Sequence, residues 1–537
     1  MKINLLNRFL AIVIISICYS CKGDHKNSAS GNEPPDDAIT ASPEIQYRPN
    51  YHFSSKQGWI NDPNGMFFYN GYYHLYYQHH PDSTIWGPMH WGHAISTDMI
   101  SWKEMPIALY PDELGDIWSG SAIIDIENTS GLGTASSPRP VIAMFTHAKK
   151  SENENEPWRQ TQGIAYSLDE GKTFTKFPEN PVIDNRGIPE FRDPKVNWNE
   201  EHKQWTMVLA AGQEIMFYSS KDLKTWRHLS NFGVTYGNHD GVWECPDFFP
   251  LKVTGSEATK WVLLVSINPG GPNGGSATQY FIGDFDGTNF TLDPTFKSEL
   301  AREHNFWVDY GRDNYAGVGW SNVRTASGGK LFMGWMSNWM YANDVPTDPW
   351  RGAMTSPREL HLIKGAKTYR LVSNPVRELN NYRGTKYKVE DIFVKDEIPL
   401  ITSDKIDLSK AEIYLKIEEL TSTTYNFKLS NKAGDELLFG YNNKDRIFYV
   451  DRSKSGKVNF SEKFADRISR APRTSKNEGL TATVLLDKTS IELFFDNGET
   501  VMTEIFFPLE PFDSLSVASE NEAFTINYME THELKFN

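Results

Sequence analysis

The chain has 537 residues, enough for two or three domains and a sizeable core. A net charge of -15 and a sequence pI near 5.5 argue against nucleic acid or a polyanion as partner. Aromatic residues are 13% of the chain, which suits a carbohydrate binder and a β-rich core equally and so separates neither.

Lys2 and Arg8 flank the first residues, and Phe9 to Ile17 is an apolar run too short to span a bilayer. That is the pattern of an export signal. Cys18-Tyr19-Ser20-Cys21 follows and resembles a bacterial lipoprotein processing site, so residues 1–21 are expected to be a signal peptide with Cys21 lipidated. Residues 22–44 are mostly Ser, Asn, Asp, Glu and Pro and read as a flexible tether. The expected location is a bacterial membrane, at the cell surface or the periplasmic face, reached through this lipid anchor only. With Cys21 lipidated, Cys245 is the remaining thiol and no intrachain disulfide is available.

From Tyr47 onward the pattern is short alternating apolar runs between Gly, Asn, Asp and Pro turns: Tyr72 to Tyr77, Val141 to Phe145, Trp205 to Ala210, Trp261 to Ser266, Leu331 to Trp335. The class is all-β. Ser96-Thr97-Asp98 before Trp102 is echoed by Ser167-Leu168-Asp169 before Phe174 and by Ser220-Lys221-Asp222 before Trp226, with a fainter copy at Asp286 before Phe290. The spacing of about 50 to 70 residues matches radially repeated four-stranded sheets, and the stretch leaves room for five blades. A catalytic β-propeller is therefore expected over residues 45–365. After a short linker around Ser373 to Thr385, alternating runs and the hairpin signal Asp496-Asn497-Gly498 predict a C-terminal β-sandwich over residues 385–537.

Three stretches stand apart from the repeat. Trp59-Ile60-Asn61-Asp62-Pro63-Asn64-Gly65 reads as a tight turn that stiffens a carboxylate; alone it would be an ordinary surface turn. Phe191-Arg192-Asp193-Pro194 repeats the acid-proline pair beside an arginine, and Val242-Trp243-Glu244-Cys245-Pro246-Asp247 adds a third carboxylate. On separate blades, such residues converge at one end of the central channel. Two carboxylates suffice to cleave a glycosidic bond, one as proton donor and one as nucleophile or base. Glu244 among Trp243, Cys245 and Pro246 suits a donor whose pKa burial raises, while the amides of Asn61 and Asn64 would keep Asp62 ionised. Asp193 beside Arg192 suits hydrogen bonding to sugar hydroxyls better than proton transfer. Cys245 is expected to pack beside Glu244.

These three motifs, in this order, resemble the signature motifs of glycoside hydrolase family 32, the invertases, inulinases, levanases and related fructan hydrolases. Supporting stretches are Tyr77-Gln78, Trp86-Gly87, His90-Trp91-Gly92-His93, Trp118-Ser119-Gly120-Ser121, Asp309-Tyr310-Gly311 with Tyr315-Ala316, Gly334-Trp335 and Pro357-Arg358-Glu359-Leu360. Ile60 and Trp118 depart from the residues frequent there, at positions that carry no chemistry. The resemblance, which runs from Tyr47 to Phe507, implies a five-bladed β-propeller followed by a β-sandwich and retaining hydrolysis of β-fructofuranosides. It implies Asp62 as nucleophile, Glu244 as general acid/base and Asp193 as transition-state stabiliser, all three catalytic. Trp59, Asn61, Gln78, Trp86, Trp118, Ser119, Arg192 and Trp335 would bind the terminal fructose. It implies no cofactor and no metal, and His79, His80, His90 and His93 lack the further ligands that a zinc site needs.

The expected substrate is a fructan or fructo-oligosaccharide (levan, inulin, sucrose), cut by exo-cleavage at non-reducing ends. The rival enzyme readings are an endo-levanase, a sucrose-preferring invertase and an inverting pentosidase. A rival outside enzymes is a catalytically dead surface fructan-binding protein. Oligomeric state is not legible.

Overall fold

The computed structural model describes residues 46–536 apart from 152, 154, 155, 186, 324 and 521. The signal peptide, Cys21 and the tether lie outside the described residues. Five sheets come first in the chain and two six-stranded sheets follow. The first sheet runs outward from Gly58–Tyr69 through Tyr72–His80, His90–Ser96 and Lys103–Leu109, and the next three begin at Asp116–Ile124, Phe191–Asn199 and Val242–Lys252. The fifth begins at Tyr315–Gly319. Each of these first strands packs against the next, and the fifth packs against the first, so they ring a central channel as the inner strands of five blades. Between the resulting sheets sit buried aliphatic and aromatic side chains such as Phe67, Phe145, Met207, Phe248 and Phe281.

Hydrogen bonds between blades stitch the ring together. Gly120 N–H donates to Asn64 Oδ1 (3.1 Å), Ser121 Oγ to Pro194 O (2.9 Å), Asn197 Nδ2 to Phe248 O (3.0 Å) and Gly319 N–H to Asp247 Oδ2 (2.6 Å). Ser321 N–H then reaches Met66 O (2.9 Å), back in the first blade. A two-residue strand, Trp350–Arg351, pairs in parallel with Gly58 and Trp59 and adds a fifth strand to the first blade.

The repeated Ser-x-Asp segments are the turn between the third and fourth strands of successive blades. Ser96 Oγ accepts from Met99 N–H (2.8 Å) and Asp98 Oδ1 from Ser101 N–H (3.0 Å), and Ser220 with Asp222 repeats both bonds with Leu223 and Thr225 (2.8 and 2.7 Å). Ser167 and Asp169 make a turn one residue longer, closing on Gly171 and Thr173, and Asp286 keeps the carboxylate half of the shorter one. Side-chain oxygens that satisfy turn N–H groups are the physical reason the segment recurs.

The last propeller strand, Tyr369–Pro375, runs beyond the expected boundary at residue 365, and the expected linker is largely ordered. A 3-10 helix, Arg377–Tyr382, leads straight into Arg383–Val394, the first strand of the sandwich. Asp496, Asn497 and Gly498 take positive φ in the hairpin that joins Ser490–Phe495 to Thr500–Ile505. Against the propeller the sandwich presents buried charge: Glu492 accepts from Arg358 (2.5 Å) and faces His52 Nε2 (2.9 Å), and Arg452 donates to Asp313 (2.6 Å). His52 Nδ1 lies 2.8 Å from Asp487.

Candidate active site

All five inner strands carry the same irregularity at the same height. One extra residue is inserted between Ile60 and Pro63, Ile117 and Gly120, Arg192 and Lys195, Glu244 and Asp247, and Tyr315 and Val318, relative to the neighbouring strand. Such a bulge breaks the ladder and re-aims side chains. Asn61 with Asp62, Trp118 with Ser119, Asp193 with Pro194 and Cys245 with Pro246 occupy the bulges; Arg192, Glu244 and Tyr315 stand immediately before them. Proline is tolerated there because a bulge residue owes no ladder bond. The expected tight turn at Trp59–Gly65 is therefore corrected: it is the bulged start of a strand, Gly58–Tyr69, and its carboxylate is aimed by the bulge.

The bulges bring the three carboxylates together. Asp62 Oδ1 accepts from Asn61 Nδ2 (2.9 Å), and Oδ2 accepts from Ser119 Oγ (2.6 Å) and from the Cys245 thiol (3.3 Å). Asp193 Oδ2 accepts from Cys245 N–H (2.9 Å) and lies 3.5 Å from the same thiol. Glu244 is gripped from both sides: Arg192 donates to Oε1 (2.8 Å) and the Tyr315 hydroxyl donates to Oε2. Arg192 also donates to Glu190. Asp193 and Cys245 both have positive φ, 66° and 45°.

Three expectations about this cluster change. Asn64 does not touch the Asp62 carboxylate; its amide donates to the Asp62 carbonyl and its oxygen serves Gly120. The second donor to the carboxylate is instead Ser119, which was expected only to bind sugar. Arg192 stays near Asp193, at 3.9 Å, and makes its closer pair with Glu244, at 2.8 Å. Burial therefore pushes the Asp193 carboxyl up to about 7, helped by the charges of Glu244 and Asp62 and opposed by Arg192. Cys245 turns its sulfur to the two aspartates and not to Glu244, and burial drives its thiol well above its usual range. Lastly, Glu244 is less buried than the other two acids and sits in a polar grip where an apolar one was expected. Burial raises Asp62 above the ordinary carboxylate range, with Ser119 opposing and the Glu244 charge adding to the rise.

Aromatic rings wall the cluster. Trp59 donates its indole N–H to Asn61 Oδ1 (2.7 Å) and packs at 5.7 Å from both Trp335 and Trp339. Gln78 Nε2 donates to Ile117 O (3.1 Å) and backs the Trp118 bulge. Arg192 lies over Trp118 (5.7 Å), which meets Trp86 (6.1 Å) and Trp158 (5.3 Å). All eleven residues assigned to the site thus fall at one end of the ring. Trp158, Trp339, Tyr315, Glu190 and the thiol of Cys245 join them without having been assigned. Tyr315 could have been found from its place beside Ala316 in the fifth-blade motif, whereas nothing local marks Trp158.

The histidines do not converge. His79, His80 and His90 each bond a nearby carbonyl and His93 faces His74 (3.1 Å). No group of three or more His, Cys, Asp or Glu suited to hold a metal ion occurs among the described residues.

Comparison with known proteins agrees with this geometry. Residues 52–375 match the model of the glycosyl hydrolases family 32 N-terminal domain, and residues 378–533 that of the family's C-terminal domain. The chain is 42% identical over 491 residues to a levanase of Bacillus subtilis, covering 91% of this chain and 70% of the relative. It is 36% identical to an extracellular exo-inulinase of Aspergillus awamori, over 86% of this chain and 90% of that one. The crystal structure of an Aspergillus awamori exo-inulinase superposes with a TM-score of 0.82 at 32% identity, covering 91% of this chain and 98% of that chain.

Proposed function

The chain belongs to glycosyl hydrolase family 32, and on that premise we propose that Asp62, Glu244 and Asp193 carry out retaining hydrolysis of fructans. The protein is a fructan β-fructosidase that releases fructose from chain ends. The observation that supports this assignment of roles is the shared Cys245 contact, which ties Asp62 and Asp193 together at the foot of the strand that carries Glu244.

Glu244 protonates the glycosidic oxygen as the bond to the anomeric carbon breaks, and Asp62 attacks that carbon to form a fructosyl ester. Glu244, now ionised, takes a proton from water; the water oxygen displaces Asp62 and completes free fructose. Asn61 and Ser119 hold the Asp62 carboxylate in one orientation, which is what attack on a single carbon requires. Arg192 and Tyr315 hold Glu244 in the same way. Asp193, deeply buried beside Arg192, is placed to accept hydroxyl hydrogen bonds that strengthen as positive charge builds on the sugar ring. The partly exposed Trp339, Trp86, Trp118 and Trp158 rings supply apolar faces for the sugar, and the fully buried Trp59 and Trp335 back them.

Incubation with levan, inulin and sucrose, followed by thin-layer separation of early products, tests the activity. Fructose alone at early times is expected; a ladder of oligomers would refute exo-cleavage, and no release from any of the three would refute the enzyme. Asp62→Asn is expected to lower kcat by about 10³-fold or more while fructan binding persists. Near wild-type turnover in that variant would remove Asp62 from its role.

We also propose export and anchoring through Cys21, supported by the basic, apolar and Cys-containing order of residues 1–21. Cys21→Ala should move the protein from the membrane fraction to the soluble one, and an unchanged membrane fraction would overturn the anchor.

A further inference from the structure

The other mouth of the propeller channel holds a cavity of about 1140 Å³, at or above the roughly 300–1,000 Å³ common for small-molecule sites. It is built from the far ends of the inner strands: Ile123 and Ile124, Asn197 to Asn199, Phe248 to Leu251, and Ser321. Five residues of strand separate Asp193 from Trp198, a rise of about 16 Å. Between the catalytic end and this cavity the inner strands are joined by a buried ion pair, Lys195 with Asp247 at 3.4 Å, whose members also bond Gly319 from both sides. None of the residues of the candidate active site lines this cavity, which is a separate site.

Its wall has the chemistry of a sugar site. Trp198 is 38% exposed, although a large aromatic side chain gains by burial. Its indole N–H is held by Glu200 (2.7 Å) and its edge by Trp205 (5.0 Å), which fixes the ring and leaves a face open. Trp261 also lines the cavity, stacked on Phe248 at 4.5 Å. The Asn199 Nδ2 amide is buried with no protein partner. Carboxylates outnumber ammonium groups among the described lining residues, which disfavours an anionic ligand and suits hydroxyls as donors.

We propose that this cavity is a second, non-catalytic binding site for a neutral oligosaccharide, a fructan segment stacked on Trp198 while another chain end is cut at the opposite mouth. The identity of the sugar rests on the hydrolase reading; the site itself does not. Holding the polymer at two places raises its effective concentration at the catalytic end, and a short substrate gains nothing from that.

The test compares wild type, Trp198→Ala and Trp198→Phe on sucrose, levan and inulin, together with retardation in native gels cast with levan or inulin, the gel arm using an Asp62→Asn background. For Trp198→Ala, sucrose kcat/KM should be unchanged, KM for at least one polymer should rise about fivefold, and retardation by that polymer should weaken. Trp198→Phe should restore most of both. Unchanged polymer KM and mobility would overturn the site, as would equal losses on sucrose and polymer. A wild type that releases no fructose would sink the hydrolase reading alone, because gel retardation still judges the site.

Discussion

Asp193 and Cys245 stand in the left-handed backbone region, where a side chain normally costs of order 1 kcal/mol or more. Both are first residues of a bulge, and the conformation brings the Cys245 N–H onto Asp193. Ser119 is the residue with the sharpest consequence for pH. Its hydroxyl donates to Asp62 and favours the charged form, against burial and the Glu244 charge that favour the neutral one. Removing that donor raises the Asp62 pKa further, so less of the proposed nucleophile is ionised at a given acidic pH. In Ser119→Ala the acid limb of kcat/KM is expected to move to higher pH by about one unit. A limb that stays in place, or moves to lower pH, would contradict the assignment. The acids themselves were legible in the sequence because proline and arginine neighbours mark them. Their partners were not: Arg192 and Glu244 each stand just before a bulge on different strands, and no sequence neighbour announces that they meet.

At the scale of the element, the bulge is the unit from which the site is made. The Asp62-Pro63 pair with Gly65 reads locally as a turn because proline and glycine punctuate turns and bulges alike. Only the neighbouring strand's register, five times repeated, tells them apart. The Ser-x-Asp turns were legible for the opposite reason, since their hydrogen bonds close within a few residues. Gly120 sits at the end of the second-blade bulge, next to Ser119, and a Cβ there would come within 2.1 Å of Met144 O on the neighbouring strand. Backbone cannot yield as a flexible side chain can. Gly120→Ala is expected to lower unfolding free energy by about 1–3 kcal/mol and to reduce kcat, as read by chemical denaturation and assay; full stability and full activity would show that the bulge tolerates movement.

Over the whole molecule, propeller and sandwich meet through buried charge, which no local pattern announces. His52 is pushed up to about 9, its hydrogen bonds to Asp487 and Glu492 outweighing burial, and Glu492 is held down to about 2 by Arg358 and His52 against burial. The raised histidine contributes its full stabilisation below its ordinary 6.5 and loses it as pH rises through about 9. The lowered glutamate contributes in full above its ordinary 4.5 and loses it as pH falls towards about 2. The interface is therefore firmest between about pH 4.5 and 6.5. The Tm difference between wild type and His52→Gln should be largest in that window and shrink towards pH 9; a difference that grows with alkalinity would reverse the sign and the explanation.

The short parallel strand Trp350–Arg351 carries a consequence in time. It binds the edge beginning at Gly58, and the Asp487 carboxylate in the sandwich grips the N–H groups of Asn50, Tyr51 and His52 just before that edge. During synthesis Asp62, the proposed nucleophile, is the first of the three acids to leave the ribosome, yet the contacts of its strand with residue 351, and of the segment before it with residue 487, form only when those residues have followed. The opening strand and the segment before it thus complete their contacts only after the fifth blade and much of the sandwich have been made.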